Sequence, residues 1–413
     1  MIPESCSRRH TVKLHYFCPD EITALRSNLL TWFDGFRRLL PWRGDSAPYS
    51  CSSDSPGPTV AKDPYAVWVS EIMLQQTRVE TVIPYFEIWM RRFPTIESLA
   101  EATIEDVNTA WAGLGYYRRA KYLLDGARFV MNKLKGELPD KVQELKRIPG
   151  IGDYTAGAIA SIAFNQPTPV VDGNVIRVFS RLRAVAAAPN NPKGVKLHWK
   201  LAAEVVDVQR PGDFNQALME LGATVCNQWN AQCEVCPLQR ICLSYRETDA
   251  ARPQLADIED CCDICADENE IVAPIGDVLR YPLPKIKAKQ RLETTKVCCL
   301  ETEEGFLLIK RDDKGLLAGQ WEFPCWERHG SQLNRLLSSA SSKPLSVGSI
   351  PHIFSHIRLT IDIQYLFVPI VPKRHFQKFQ TRYIPRASFF ESPLTTGVQK
   401  VFKTLQKNLF RSV

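Results

Sequence analysis

The sequence predicts a multidomain chain in two folded parts, an all-α domain over residues 20–250 and an α+β domain over 291–413, joined by a linker over 251–290. Three observations predict it. Apolar residues recur at three- and four-residue spacing in the first part, beginning with Ile22, Leu25, Leu29, Leu30, Phe33 and Phe36, a pattern that gives a helix one apolar face. Near the C-terminus the period changes to two: Leu359, Ile361, Ile363, Tyr365 and Phe367 alternate with Arg358, Thr360, Asp362 and Gln364, as a half-buried strand requires. Between them the text turns to Pro253, acidic runs at 257–260 and 267–270, then Pro282, Pro284, Lys285, Lys287 and Lys289, a composition with little to bury.

In chain order, residues 1–19 form an N-terminal tail with Arg8, Arg9 and Lys13. Beyond the first helix, the spacing predicts helices over roughly 64–78, 104–112, 118–134, 154–164, 174–183, 195–208 and 214–226, with Pro94, Pro139, Pro149 and Pro211 as punctuation. In the C-terminal part, 296–300 and 305–310 read as further strands, and Val398, Val401, Phe402 and Leu405 as the face of a closing amphipathic helix. With 413 residues and 45% apolar side chains the chain has enough material for a sizeable core without covalent staples. The 13 cysteines are odd in number and clustered, and no hydrophobic run near the N-terminus is long enough for a signal peptide or membrane span. These point to a reducing compartment, and no membrane partner is expected. The net charge of +7 is compatible with a nucleic-acid partner. The basic tail does not decide between a nuclear and a mitochondrial address; a nuclear one is expected, with a mitochondrial one as the alternative.

Four features carry chemistry. Cys226, Cys233, Cys236 and Cys242, spaced C-x6-C-x2-C-x5-C, read as one all-thiolate metal site, suited to a tetrahedral zinc or an iron–sulfur cubane. Leu145-Lys146-Arg147-Ile148-Pro149-Gly150-Ile151-Gly152-Asp153-Tyr154 is a helix end, a turn and a new helix, so that Pro149, Gly150 and Gly152 form the hairpin of a helix–hairpin–helix. Its glycines allow a tight turn that brings amide N–H groups at a helix N-terminus against a DNA phosphate. Asp172, in Val170-Val171-Asp172-Gly173-Asn174, precedes another helix, where a plain N-cap is the simplest role for an aspartate. Glu71 is a carboxylate in a helix otherwise apolar or amide-bearing from Val67 to Gln76, a setting that favours its protonated form and suits a general acid.

Hairpin, aspartate and cysteine cluster together resemble the base-excision DNA glycosylases of the endonuclease III superfamily, across the helical domain. Within it, Trp68-Val69-Ser70-Glu71-Ile72-Met73-Leu74-Gln75-Gln76-Thr77, Leu40-Pro41-Trp42-Arg43, Gly113-Leu114-Gly115-Tyr116-Tyr117 and Asp213-Phe214-Asn215-Gln216-Ala217 resemble the adenine DNA glycosylase (MutY) family, animal members most of all. That resemblance implies excision of adenine facing 8-oxoguanine (or guanine) in duplex DNA, by hydrolysis of the N-glycosidic bond. It implies that Glu71 protonates the flipped adenine, that Asp172 stabilises the cationic sugar or bonds to it transiently, and that Asn174 and Tyr154 orient the site. Bifunctional relatives carry a lysine where this chain has Tyr154, so a monofunctional enzyme is expected. Gln75, Gln76 and Tyr116 resemble the family's wedge residues; Arg43 and Gln216 resemble its pocket lining. The cysteine spacing is that of the superfamily's [4Fe–4S] loop.

In the C-terminal domain, Gly315 to Pro324 resembles the opening of a Nudix fold, but residues 331–340 contain no carboxylate to hold magnesium. His352-Ile353-Phe354-Ser355-His356 resembles the loop by which the family reads 8-oxoguanine, with Phe354, Ser355 and His356 as the reading residues. Animal members also carry a zinc site, which here would fall to His15, Cys261, Cys262 and Cys265, although adjacent Cys261 and Cys262 depart from the family spacing. The chain is expected to act as a monomer and to meet other repair and checkpoint proteins through its linker. An endonuclease III-like glycosylase for oxidised pyrimidines and a non-catalytic damage sensor are the rival readings.

Overall fold

The computed structural model of the chain describes residues 12–47, 49, 62–246, 262–265, 278–285, 290–312, 314–339, 343–354 and 356–410. The described helices begin with α1 (Pro19–Phe36), α2 (Pro64–Leu74), α3 (Val79–Arg92), α4 (Ile96–Glu101), α5 (Ile104–Trp111) and α6 (Arg118–Leu134). They continue with α7 (Val142–Leu145), α8 (Asp153–Phe164), α9 (Gly173–Leu182), α10 (Pro192–Val205), α11 (Pro211–Thr224) and α12 (Leu243–Arg246). The C-terminal elements are β1 (Arg291–Thr302), β2 (Gly305–Lys310), β3 (Trp321–Glu322), α13 (Trp326–Ser339), β4 (Leu345–Ile353), β5 (Ile357–Phe367), β6 (Thr381–Ile384) and α14 (Thr396–Leu409).

Two departures from the expected helices have local causes. Helices α10 and α11 start on Pro192 and Pro211, earlier than their apolar pattern, because a proline at the first helical position gives up an N–H that would have no partner there. Helix α2 stops at Leu74 rather than running to 78, which leaves Gln75 and Gln76 in a turn, Gln76 with φ of 57°. Helices α3, α4, α7, α12 and α13 add to those expected. Within α1, Leu25, Leu29 and Phe33 are buried, while Phe36 is 71% exposed and takes no part in the core.

The chain divides into two compact units, residues 1–101 with 125–286, and residues 102–124 with 287–413. The segment 102–124, expected in the helical domain, thus groups with the C-terminal unit. There Lys310 Nζ pairs with Glu105 at 2.9 Å and Gln320 donates to Asn108 at 3.4 Å.

The first unit is helical. Its core is built from Leu25, Leu29 and Phe33 of α1, Val175, Val178 and Phe179 of α9, Leu197 and Leu201 of α10, and Phe214, Leu218 and Leu221 of α11. Helix α11 can lie this close to α9 because residue 222 is glycine: a Cβ there would come within 2.7 Å of Asn174 Cβ. Part of the expected linker belongs to this unit, since Tyr281 is 1% exposed against Ala184 and Ala186, and Leu283 N–H donates to Ala187 O at 3.1 Å.

In the second unit the sheet runs β3-β2-β1-β5-β4, with β6 paired to β2. Strands β1 and β5 are parallel from Arg291↔Ile357 to Glu301↔Phe367; the other pairings are antiparallel. Period-two alternation sends Val297, Cys299, Ile361 and Ile363 to the face covered by Val398, Val401, Phe402 and Leu405 of α14. Cys298, Leu300, Leu307 and Ile309 face Leu333 and Leu336 of α13. Among the described residues no helix is long and apolar enough to cross a membrane.

Candidate active site

Helix α2 carries Glu71 into the first unit. Asp63 caps the helix by accepting from Tyr65 N–H at 3.0 Å and Ala66 N–H at 3.3 Å, Pro64 fills the first position, and Val67, Trp68, Val69, Ile72 and Met73 are buried around the carboxylate. Glu71 itself is 5% exposed. Burial first, and then the charge of Asp172, push its carboxyl up to about 7 against the opposing effects of Tyr154, Arg43 and Lys62. The Tyr154 hydroxyl donates to Glu71 Oε2 at 2.6 Å and also approaches Met219 Sδ at 3.4 Å. Burial holds the Tyr154 hydroxyl well above its ordinary value, so it stays a donor, and Oε1 of Glu71 is left to carry the acid proton.

Asp172 is the N-cap of α9, as the simplest reading has it, and it is also bound for a second purpose. Oδ1 accepts from Val175 N–H and Oδ2 from Asn174 Nδ2, both at 2.8 Å. Burial raises its carboxyl, but these two donors and the Arg177 charge oppose that shift, where Glu71 has Tyr154 as its one described donor. Asn174 cannot turn over, because Arg177 donates to its Oδ1 at 2.8 Å and fixes which end is the donor. Arg177 also donates to Gly222 O at 2.6 Å and Cys226 O at 2.9 Å, so one guanidinium ties the Asp172 loop to the first cysteine of the cluster. Sequence reasoning missed Arg177; its place one turn after Asn174 on α9 was the available signal.

Arg43 and Gln216, from a short turn at Pro41–Arg43 and from α11, are both buried and meet at 3.0 Å through Arg43 Nε and Gln216 Oε1. Glu220 binds Arg43 at 3.1 Å and Arg38 at 2.7 Å; although burial alone would raise it, these cations hold its carboxyl down to about 2. Lys62 joins the group at 3.3 Å from Gln216 Oε1. Neither Glu220, Arg38 nor Lys62 was legible as part of a site.

The hairpin takes the expected form. Helix α7 ends, Gly150 adopts φ of 86°, Ile148 and Ile151 are buried beneath the turn, and Gly152 is the N-cap of α8 with no side-chain cap, so the first amides of α8 are free to meet an anion. Pro149 and Gly150 are partly buried and Gly152 is exposed. Gln75 is partly buried and Gln76 exposed at the end of α2. In the second unit Tyr116 is 55% exposed with φ of 49°, one ring face against the Arg119 guanidinium at 5.3 Å. Phe354, partly buried, packs edge-on to His352 at 4.6 Å, and exposed His356 follows it in the β4–β5 turn; Ser355 lies outside the described residues.

Cys226, Cys233, Cys236 and Cys242 all line one cavity. Burial, followed by the other three thiols, pushes Cys236 up to about 12, the mark of four sulfurs converging. The donor set fits a thiolate-bound metal or cluster, and Arg181 NH1 at 3.3 Å from Cys226 Sγ supplies positive charge beside it. A second group joins His15 Nε2 with Cys262 Sγ and Cys265 Sγ, each at 3.4 Å. Tetrahedral zinc with its usual bond lengths places sulfur and nitrogen ligands about 3.5 Å apart. His15 Nδ1 donates to Arg183 O at 2.8 Å, which leaves Nε2 as the lone-pair nitrogen a metal needs. Cys261 lies outside the described residues.

Comparison with known proteins agrees with this geometry. Residues 69–204 match the family model of the HhH-GPD superfamily base excision DNA repair protein, and residues 296–404 that of the NUDIX domain. The adenine DNA glycosylase of Mus musculus is 40% identical over 93% of this chain and 78% of its own length. That of Homo sapiens is 38% identical over 98% and 78%, and that of Schizosaccharomyces pombe 41% identical over 86% and 84%. With buried Glu71 and helix-capping Asp172 in the matched region and likeness running through both units, the chain belongs to the adenine DNA glycosylase family.

Proposed function

We propose that the chain excises adenine facing 8-oxoguanine in duplex DNA, by hydrolysis of the N-glycosidic bond and without strand cleavage. The observation that carries this reading is the pair of unlike carboxylates: Glu71 buried with one donor among the described residues and raised to about 7, Asp172, also raised by burial, held by Val175 and Asn174. Protonated Glu71 gives its proton from Oε1 to the departing base while Tyr154 holds Oε2. Asp172, anionic, faces the sugar as positive charge develops there, and Asn174, locked by Arg177, keeps that carboxylate aimed. Glu71, now charged, serves as base for the incoming water. Tyr154 has no amine to form a Schiff base, so the product is an intact strand with an abasic site. An endonuclease III-like reading finds less support, since that chemistry needs the missing lysine.

The opposite base is read, on this proposal, by Phe354, Ser355 and His356. Replacing Ser355 and His356 together with Ala is expected to narrow the preference for 8-oxoguanine over guanine opposite adenine, measured as a ratio of single-turnover rates. An unchanged ratio would remove the loop from recognition.

Cys226, Cys233, Cys236 and Cys242 would hold a [4Fe–4S] cluster. With all four iron positions taken by protein, it contributes structure rather than chemistry to the reaction, fixing the loop that Arg177 and Arg181 bind. His15, Cys262 and Cys265 would hold zinc. Purified protein is expected to absorb in the visible region and to contain zinc that falls when Cys262 and Cys265 are replaced with Ser. Colourless protein counts against the cluster; equal zinc in both proteins counts against the second site.

A further inference from the structure

Lys62 is 8% exposed, and among the described residues its ammonium makes one hydrogen bond, to Gln216 Oε1 at 3.3 Å. An ammonium has three donors, and burying one with a neutral amide as its described partner is costly. Burial and the nearby Arg43 charge lower its pKa to about 7. Such a group weakens the fold unless its contact does something else. That contact is one of two on the same oxygen, because Arg43 Nε donates to Gln216 Oε1 at 3.0 Å. Arg43 has no acceptor, so the oxygen must face it and the carboxamide cannot turn over, while Lys62, donating to the same oxygen, occupies its second lone pair. Gln216 Nε2 spends one N–H on Gly212 O at 3.2 Å. Its second N–H has no partner among the described residues. Gln216 therefore offers a donor and no acceptor.

We infer that Lys62 is a positioning residue that, with Arg43, locks the Gln216 carboxamide so that it meets the extruded base only as a hydrogen-bond donor. It fits a purine edge that presents a ring-nitrogen acceptor. This rests on the reading of Gln216 as pocket lining given above. With Lys62 gone, Arg43 alone holds the oxygen, whose second lone pair is then open to accept a hydrogen bond from the base.

A double-mutant cycle tests it, with single-turnover excision from an 8-oxoguanine:adenine duplex as the readout and a thermal melt to establish folding. Lys62→Met is expected to slow excision about 5- to 10-fold, the worth of one misplaced neutral hydrogen bond. Lys62→Arg should restore the rate to within about threefold, and Lys62→Met should change nothing beyond about twofold in a Gln216→Ala background. A Lys62→Met protein as fast as wild type, or a slowing that recurs in full on Gln216→Ala, overturns the lock. If Lys62→Met does not fold, Lys62→Gln decides on the same criteria. Should wild type itself release no adenine, the functional reading fails; should wild type be active with an additive cycle, only the lock fails.

Discussion

Replacing Asp172 with Asn is expected to slow adenine excision by about a hundredfold to a thousandfold or more, the range for removing a preorganised charge from a developing cation. The fold should survive. Asparagine caps a helix as well as aspartate does, and its oxygen can still accept from Val175 N–H, as Asp172 does at 2.8 Å. DNA affinity should be close to wild type, because the hairpin at Pro149, Gly150 and Gly152 stands apart from this side chain in the sequence. The paired measurement is a binding isotherm beside a single-turnover time course. Near-normal excision with normal binding would take Asp172 out of the chemistry and leave it as a helix cap alone.

Replacing Glu71 with Gln should cost about a hundredfold to ten-thousandfold, the usual worth of a general acid. An amide can accept the Tyr154 hydrogen bond and fill the same buried space, yet it has no transferable acid proton. A pH profile gives a sharper test. Glu71 acts in its protonated form, and its carboxyl is raised to about 7, so the excision rate should fall about tenfold per unit above that pH, and fall again at the acid end where Asp172, itself raised by burial, takes up a proton. The charges that set the alkaline limb are Asp172, which raises it, and Arg43 and Lys62, which lower it, together with the Tyr154 hydroxyl. Tyr154→Phe, which removes a hydrogen bond that favours the anion, should move the limb upward. A limb that stays in place in both Glu71→Gln and Tyr154→Phe would assign the titration to another group. The two carboxylates act on the same bond, so the double substitution should cost little more than the worse single one.

The parts of the site legible in the sequence were those whose chemistry is local. Glu71 stood out because its helix neighbours are apolar, and the structure buries it. Asp172 stood out only beside the hairpin and the cysteines, and the structure shows why its two readings do not compete: one oxygen caps α9 and the other is held by Asn174. Interactions between distant segments were illegible. Glu220 meets Arg38 and Arg43 across most of the helical chain, and no spacing rule links them. Lys62 reads as an ordinary residue ahead of a helix and becomes informative only when its burial is known. The helix end after Leu74 was missed because Gln75, Gln76 and Thr77 are compatible with helix, and only the left-handed backbone of Gln76 reveals the turn. Tyr281 was lost in a proline- and charge-rich stretch, although it is among the most deeply buried side chains of its unit. In the second unit, alternation anticipated the buried Ile361 and Ile363 of β5, but not that Phe367 is 47% exposed while Leu366 is buried on the opposite face, nor that β1 lies parallel to β5, because period two is the same for either direction.

The most direct measurement is single-turnover release of free base from a duplex with one 8-oxoguanine:adenine pair. The predicted result is free adenine, with a strand that stays intact until treated with alkali. Tight binding without release would contradict the assignment of Glu71 and Asp172 to catalysis. Release confined to oxidised pyrimidines, with strand cleavage at the same rate, would contradict the reading of the chain as an adenine glycosylase without lyase chemistry.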